Sequence, residues 1–249
     1  MPDNHEYHID GILSSISDAR INSYIDLGFD ANSDKLVHAY FSLQELSSHF
    51  FVPLQVLEIS LRNAIHSNLT LRYKRINGDS GKKWYDIINL TDESRRLKNK
   101  AIKDLRERKK ENFCENDIIS KLSFGFWVRL MDKNFRNGDK NHPEYQHNFW
   151  QYEHQNIFPN KGKLKMNNIH SEFTAINSLR NRLFHQEPIW KGNKSKSYSS
   201  AIECMKAKYE KVMTAIFWIS EDKKLYMERE FSFKDNFQKC CDFYLAKGW

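Results

Sequence analysis

A chain of 249 residues with 40% hydrophobic and 14% aromatic residues can bury a sizeable core, which excludes a disordered or low-complexity chain. Its 9 Gly and 5 Pro are too few for an all-β protein, which turns about every ten residues, so an all-α chain is expected, as one domain or two closely packed helical halves. The formal charge of +7 favours an anionic partner.

The four cysteines, Cys114, Cys204, Cys240 and Cys241, have neither CxxC spacing nor the framework of a secreted disulfide scaffold, which points to reduced thiols in the cytoplasm. No basic start followed by an apolar run and no stretch of about eighteen apolar residues occurs, so neither export nor a membrane partner is expected.

In chain order, Ile9, Ile12, Leu13, Ile16, Ile21, Tyr24 and Ile25 predict a helix over residues 8–27. From Asp34 a second apolar series runs through Leu36, Tyr40, Leu43 and Leu46 to Phe50 and Phe51, where Pro53 either starts a new helix or kinks a long one. Leu54, Leu57, Leu61, Ile65 and Leu69 continue it to the polar turn at 77–81, and Glu58, Arg62 and His66 lie four apart on another face, the spacing of a solvated ion-pair ladder.

Thr91 is the expected N-cap of a basic helix whose narrow apolar seam is Leu97, Ala101 and Leu105. Between Arg95 and Lys110 nine basic residues (Arg95, Arg96, Lys98, Lys100, Lys103, Arg106, Arg108, Lys109, Lys110) meet only Asp104 and Glu107, a local excess of seven that equals the surplus of the whole chain. A further helix is expected from Asp117 through Ile118, Leu122, Phe126 and Leu130, with Asn116 as its cap and Gly125 marking close packing on a neighbour. Residues 136–168 lack a period apart from a short helix near Phe149; His142, His147 and His154 lie there without the spacing of a zinc site, so neither a metal nor another cofactor is expected. After a polar linker over 191–197, Tyr198, Ile202, Met205, Tyr209, Val212, Ile216 and Ile219 trace a long helix, and a last one is expected over 234–246.

The most informative segment is Arg180-Asn181-Arg182-Leu183-Phe184-His185-Gln186-Glu187-Pro188. Ile169, Phe173, Ile176, Leu179 and Leu183 form the stripe of a core-facing helix, and Pro188 ends it near Gln186 or Glu187, which leaves His185 in the last turn, where uncapped carbonyls favour an imidazolium. An arginine holds a phosphate through two parallel hydrogen bonds and a histidine moves a proton near neutral pH, so the pair suits transesterification of RNA. Five residues of helix rise about 7.5 Å and turn about 140°, too far for a tight contact, and a site completed across a dimer would relieve this. The plain alternative is solvated arginines and a histidine that only caps carbonyls. A second Arg-Asn…His grouping, Arg136, Asn137 and His142, runs into Pro143 and reads as a loop without fixed geometry.

Three blocks, Leu57-Glu58-Ile59-Ser60-Leu61-Arg62-Asn63, Phe124-Gly125-Phe126-Trp127-Val128 and Leu179 to Ile189, resemble in order and content the Abi-like family of bacterial abortive-infection proteins (AbiD/AbiF type), part of the HEPN superfamily. The resemblance covers about residues 35–220, with the helices at 8–27 and 234–246 as extensions of one domain spanning 1–249. It implies an all-α, HEPN-like helical bundle with additional helices, a homodimer with a composite active site, and metal-independent RNA cleavage by a cytoplasmic endoribonuclease of an abortive-infection or toxin–antitoxin system. Arg180, Asn181 and His185 match the Arg-polar-x-x-x-His motif and take the catalytic roles; Glu58, Arg62 and Asn63 match the upstream block and would orient them; Arg95, Arg96, Lys103, Arg106, Lys110 and Arg182 would draw in RNA phosphates. The chain departs from the pattern at Gln186, where similar proteins often carry a second histidine, and at the bulky Phe184. The alternative is a non-catalytic helical module that binds RNA or protein and is held by an antitoxin, either a small RNA or a protein.

Overall fold

The computed structural model describes residues 8–78, 81–110, 112–136, 148–192 and 195–248. Among them the secondary structure is helical throughout, with no strand. Two short helices, α1 (Ile9–Leu13) and α2 (Asp18–Ile25), replace the single helix expected over 8–27. The serines account for the break: the Ser14 and Ser15 hydroxyls donate to the Gly11 and Ile12 carbonyls at 3.0 and 2.6 Å, and Ser17 is extended ahead of α2.

Helix α3 (Asp34–Ser48) is capped by the Ser33 hydroxyl, which accepts the Leu36 N–H at 3.1 Å. Helix α4 (Phe51–Asn77) starts anew, with Pro53 in its first turn, where a missing N–H costs nothing. Leu57, Leu61, Ile65 and Leu69 on it are fully buried. The short α5 (Trp84–Ile87), which no periodicity announces, precedes the basic α6 (Asp92–Lys109), capped by Thr91 as expected.

The helix expected from Asp117 to Leu130 is two, α7 (Glu115–Lys121) and α8 (Phe124–Arg129), because Leu122 turns extended between them. The cap of α7 is Cys114 rather than Asn116: the Asp117 carboxylate accepts the Cys114 N–H at 2.9 Å. After a 3-10 turn at Lys133–Phe135 come α9 (Trp150–Ile157), α10 (Met166–Phe184), α11 (Tyr198–Ile219), α12 (Glu221–Glu230) and α13 (Phe233–Leu245). Only Met227 of α12 is buried, so this helix has no apolar stripe by which to be read from sequence.

The contacts divide the chain into two compact units, one of Met1–Leu54, Leu179–Met213 and Leu225–Trp249, the other of Gln55–Ser178 and Thr214–Lys224. In the first, Phe50, Tyr209 and Phe237 are buried together, with Tyr209 stacked on Phe237 at 4.3 Å. Ile189 and Trp190, directly after Pro188, are also buried, with Trp190 edge-on to Tyr24 at 5.3 Å. The Lys208 ammonium donates to the Ile189 and Lys191 carbonyls at 2.6 and 2.9 Å, so the chain leaving α10 is tied to α11.

In the second unit Phe173 of α10 meets Phe124, Phe158 and Trp218, and the Trp150 indole donates to the Leu130 carbonyl at 2.6 Å. A Cβ on Gly125 would stand 3.5 Å from the Asn177 side chain, an ordinary contact, so α8 lies against α10 without strictly requiring glycine. The buried Glu153 carboxylate is satisfied by Asn156 at 2.9 Å and by Arg72 at 3.6 Å. His66 does not join an ion-pair ladder: its Nδ1 accepts the Trp84 indole N–H at 3.0 Å, which requires that nitrogen to be unprotonated. No helix among the described residues is long and apolar enough to cross a membrane.

Candidate active site at the end of α10

Helix α10 stops at Phe184, two or three residues earlier than expected, and the reason lies in its cap. Gln186 takes a left-handed conformation (φ 56°), its N–H donates to the Leu183 carbonyl at 3.0 Å, and the Glu187 N–H donates to the Arg182 carbonyl at 2.8 Å. These two bonds make a Schellman motif with a glutamine where glycine is usual. His185 is therefore the residue that follows the helix, with its own N–H on the Asn181 carbonyl at 2.9 Å. The carbonyls of Asn181, Arg182 and Leu183 all have backbone donors.

The side chains project from this locked end. Asn181 and His185 are exposed, and Arg180 is half-buried. The Arg180 guanidinium lies 4.3 Å over the ring of Phe184, one helical turn on, and its Nη1 donates to the Asn181 Oδ1 at 3.4 Å. The helix end thus gathers Arg180 and Asn181 and leaves His185 beside them, within one short exposed segment.

Phe184, read in the sequence as a bulky departure, is the platform that orients Arg180. It is in turn packed on Phe51 from the first turn of α4, with centroids 5.0 Å apart and planes tilted by 38°, and both rings remain 43% exposed. In the sequence Phe51 only ends an apolar series, and the signal for a surface role is the doubled aromatic before a helix-starting proline: Phe50 is buried and its neighbour faces outward.

Arg182 is engaged with Glu187 at 3.5 Å, an exposed pair that bridges the two residues joined by the Schellman bond. In many such caps an apolar contact fills this role. Glu58, Arg62 and Asn63 belong to the second unit, where the Arg62 Nε donates to the Asn63 Oδ1 at 3.2 Å, whereas Arg180, Asn181 and His185 belong to the first.

The basic helix α6 also belongs to the second unit, and much of its charge has carboxylate partners. Arg95 meets Asp92 at 2.9 Å, Arg96 meets Glu93 at 2.7 Å, Lys98 meets Asp86 at 2.9 Å, Lys103 meets Glu107 at 3.8 Å and Lys109 meets Asp117 at 2.6 Å. Lys109 holds the Asp117 carboxyl down at about 2. Surface pairs of this kind are weak, screened by salt, and exchange readily for another anion. Arg106 and Lys110 are exposed at the far end of the helix.

Of the second Arg-Asn…His grouping, Asn137 and His142 lie outside the described residues, as does His147, while Arg136 is turned to Asn167 and His170. No group of three or more His, Cys, Asp or Glu side chains able to hold a metal occurs among the described residues. The four cysteines are free; burial raises the thiols of Cys240 and Cys241 to about 11 and about 12, so neither is an activated nucleophile.

Comparison of the chain with family models, curated proteins and solved structures finds no match. The functional reading accordingly rests on the motif and its surroundings.

Proposed function

We propose that the chain is an endoribonuclease of the HEPN type, acting without a metal in the cytoplasm as part of a bacterial abortive-infection or toxin–antitoxin defence. The observation that carries the reading is one exposed helix end bearing Arg180, Asn181 and His185, with its backbone locked by a double-bonded cap and by the buried Ile189 and Trp190. In the reaction a ribose 2′-oxygen attacks its own phosphorus while the bond to the 5′-oxygen breaks. A base takes the proton from the 2′-hydroxyl and an acid delivers one to the 5′-oxygen, leaving a 2′,3′-cyclic phosphate and a 5′-hydroxyl.

Arg180 binds the non-bridging phosphate oxygens, where loss of such a donor costs on the order of a hundred- to a thousandfold in rate. Its stacking on Phe184 fixes the guanidinium plane before substrate arrives. His185 moves one of the two protons, a contribution of on the order of a hundred- to ten-thousandfold. Asn181, at 3.4 Å from Arg180, steadies the guanidinium or the ribose. One helix end supplies one histidine for two proton transfers, which is the chemical case for a homodimer with a composite site. The α6 cations contribute salt-sensitive, sequence-independent affinity for RNA.

A second reading is favoured by the exposure of Phe51 and Phe184: a non-catalytic module that uses the same surface to hold RNA or an antitoxin. Incubation of the protein with labelled single-stranded and transfer RNA in EDTA separates the two. The enzyme reading expects cyclic-phosphate ends that disappear in His185→Ala; RNA that binds but stays intact under every condition where binding is seen refutes it in favour of the module.

A further inference from the structure

Within the second unit, a cavity of about 520 Å³ opens among the end of the 3-10 turn, the start of α9 and the loop leading into α10. Its lining includes Arg136, Lys161, Lys163 and Lys165, with Gln151, His154 and Asn167 as further polar groups, and no carboxylate lines it among the described residues. Four cationic side chains about one small cavity repel one another, and an anion relieves that repulsion.

Two of the cations are held in place. The Lys161 ammonium donates to the Leu164 carbonyl at 3.1 Å within its own loop, where Gly162 takes a left-handed conformation (φ 58°). Arg136 donates to the Asn167 Oδ1 and approaches the His170 Nδ1 at 3.4 Å, so both partners of its guanidinium are neutral. Burial works against the Arg136 charge, and Asp132 only opposes that effect from outside the cavity lining. The remaining two, Lys163 and Lys165, are exposed.

We propose that this cavity is a binding site for a compact oligophosphate, a run of phosphate groups either free or carried by a nucleoside. The volume falls in the range of about 300–1,000 Å³ usual for small-ligand sites, and the cations surround a concavity instead of lining a stripe as they do along α6. A nucleic-acid backbone suits the stripe, since its charges are spread along a line. The site is independent of RNA cleavage at α10.

Isothermal titration with sodium tripolyphosphate at low salt tests it, with adenosine triphosphate and a single-stranded oligonucleotide as parallel titrants. Wild type binds tripolyphosphate saturably; Lys163→Gln/Lys165→Gln, at exposed positions that leave the fold intact by circular dichroism, weakens binding by about tenfold or more, and Arg136→Gln does the same. A control pair elsewhere on the surface, Lys121→Gln/Lys239→Gln, leaves it unchanged. Tighter binding of the nucleotide than of tripolyphosphate identifies a nucleoside polyphosphate, and equal binding identifies the free oligophosphate. Absence of wild-type binding, equal weakening by the control pair, or cavity-dependent binding of the oligonucleotide alone overturns the proposal.

Discussion

Gln186 sits at φ 56° in the cap that ends α10, and replacing it with glycine isolates what that backbone position contributes. A non-glycine residue in this region is strained by about 1–2 kcal/mol, because Cβ approaches a carbonyl oxygen. Glycine removes the strain but gives the unfolded chain back about 0.4–1 kcal/mol of freedom. Gln186→Gly is therefore expected to stabilise the protein by about 1 kcal/mol, a rise of about 2–4 °C in melting temperature for a chain of this size. Gln186→Ala keeps the Cβ and should give no such gain, so the difference between the two reads the strain less the freedom that glycine returns to the unfolded chain. The measurement is the thermal or urea midpoint of the three proteins, with RNA cleavage followed in parallel. Both variants retain cleavage if the position matters through its backbone bonds to Arg182 and Leu183. An unchanged or lowered midpoint in the glycine variant would refute the strain argument, and loss of cleavage in the alanine variant would show that the glutamine side chain belongs to the site.

Other outcomes follow from the same geometry. Phe184→Leu keeps apolar bulk but removes the ring under Arg180, a contact worth about 0.5–1 kcal/mol at an exposed site, so kcat/KM on single-stranded RNA should fall by about two- to fivefold with little change in melting; equal activity would mean the ring does not position the arginine. Glu187→Gln releases Arg182 and removes a negative charge beside the site, and RNA binding at low salt should tighten by up to about fivefold, the gain vanishing as salt is raised; no change at low salt would exclude Arg182 from the RNA contacts. Burial holds the imidazoles of His66, His38, His49 and His170 below their usual value. Between that lowered value and about 6.5 the unfolded chain takes up protons that the native chain does not, so stability is full above about pH 6.5 and is lost as pH falls below it, by at most about 1.4 kcal/mol per pH unit for each histidine. The drop in urea midpoint from about pH 7.5 to about pH 5.5 should be smaller in His66→Gln, and an unaltered drop would mean that the Trp84 bond does not resist protonation.

The long helices were legible because their apolar residues recur on one side: α4, α10 and α11 carry buried stripes that periodicity finds directly. What escaped notice was local. Ser14, Ser15 and Ser17 split the first helix by bonding to nearby carbonyls or turning extended, which is chemistry of single side chains and leaves no period. Leu122 is apolar and at helical spacing, yet it is the residue that separates α7 from α8, so a stripe can run through a break. At the candidate site the sequence places Arg180, Asn181 and His185 near a helix end but sets that end too late, since Pro188 marks only where a helix must have stopped and the left-handed Gln186 marks where it does stop. Phe184 was visible as an oddity without a role until its ring was found between Arg180 and Phe51.

Net charge and its pairing carry different information. The sequence concentrates its surplus on α6, but Arg95, Arg96, Lys98, Lys103 and Lys109 already sit against carboxylates. An incoming phosphate must exchange with those partners, so only the difference between two ion pairs favours binding, and salt screens much of it. The cavity lined by Arg136, Lys161, Lys163 and Lys165 is the reverse case: fewer cations and no lining carboxylate among the described residues, so a phosphate there exchanges only with neutral partners such as Asn167 and the Leu164 carbonyl and relieves repulsion. Net charge along a segment therefore measures solubility and weak, spread attraction, whereas cations gathered about a concave place that no described carboxylate lines favour a compact anion. On that ground α6 should tolerate the loss of any single cation with a small, uniform weakening of RNA binding, while the cavity should respond steeply to each of its own.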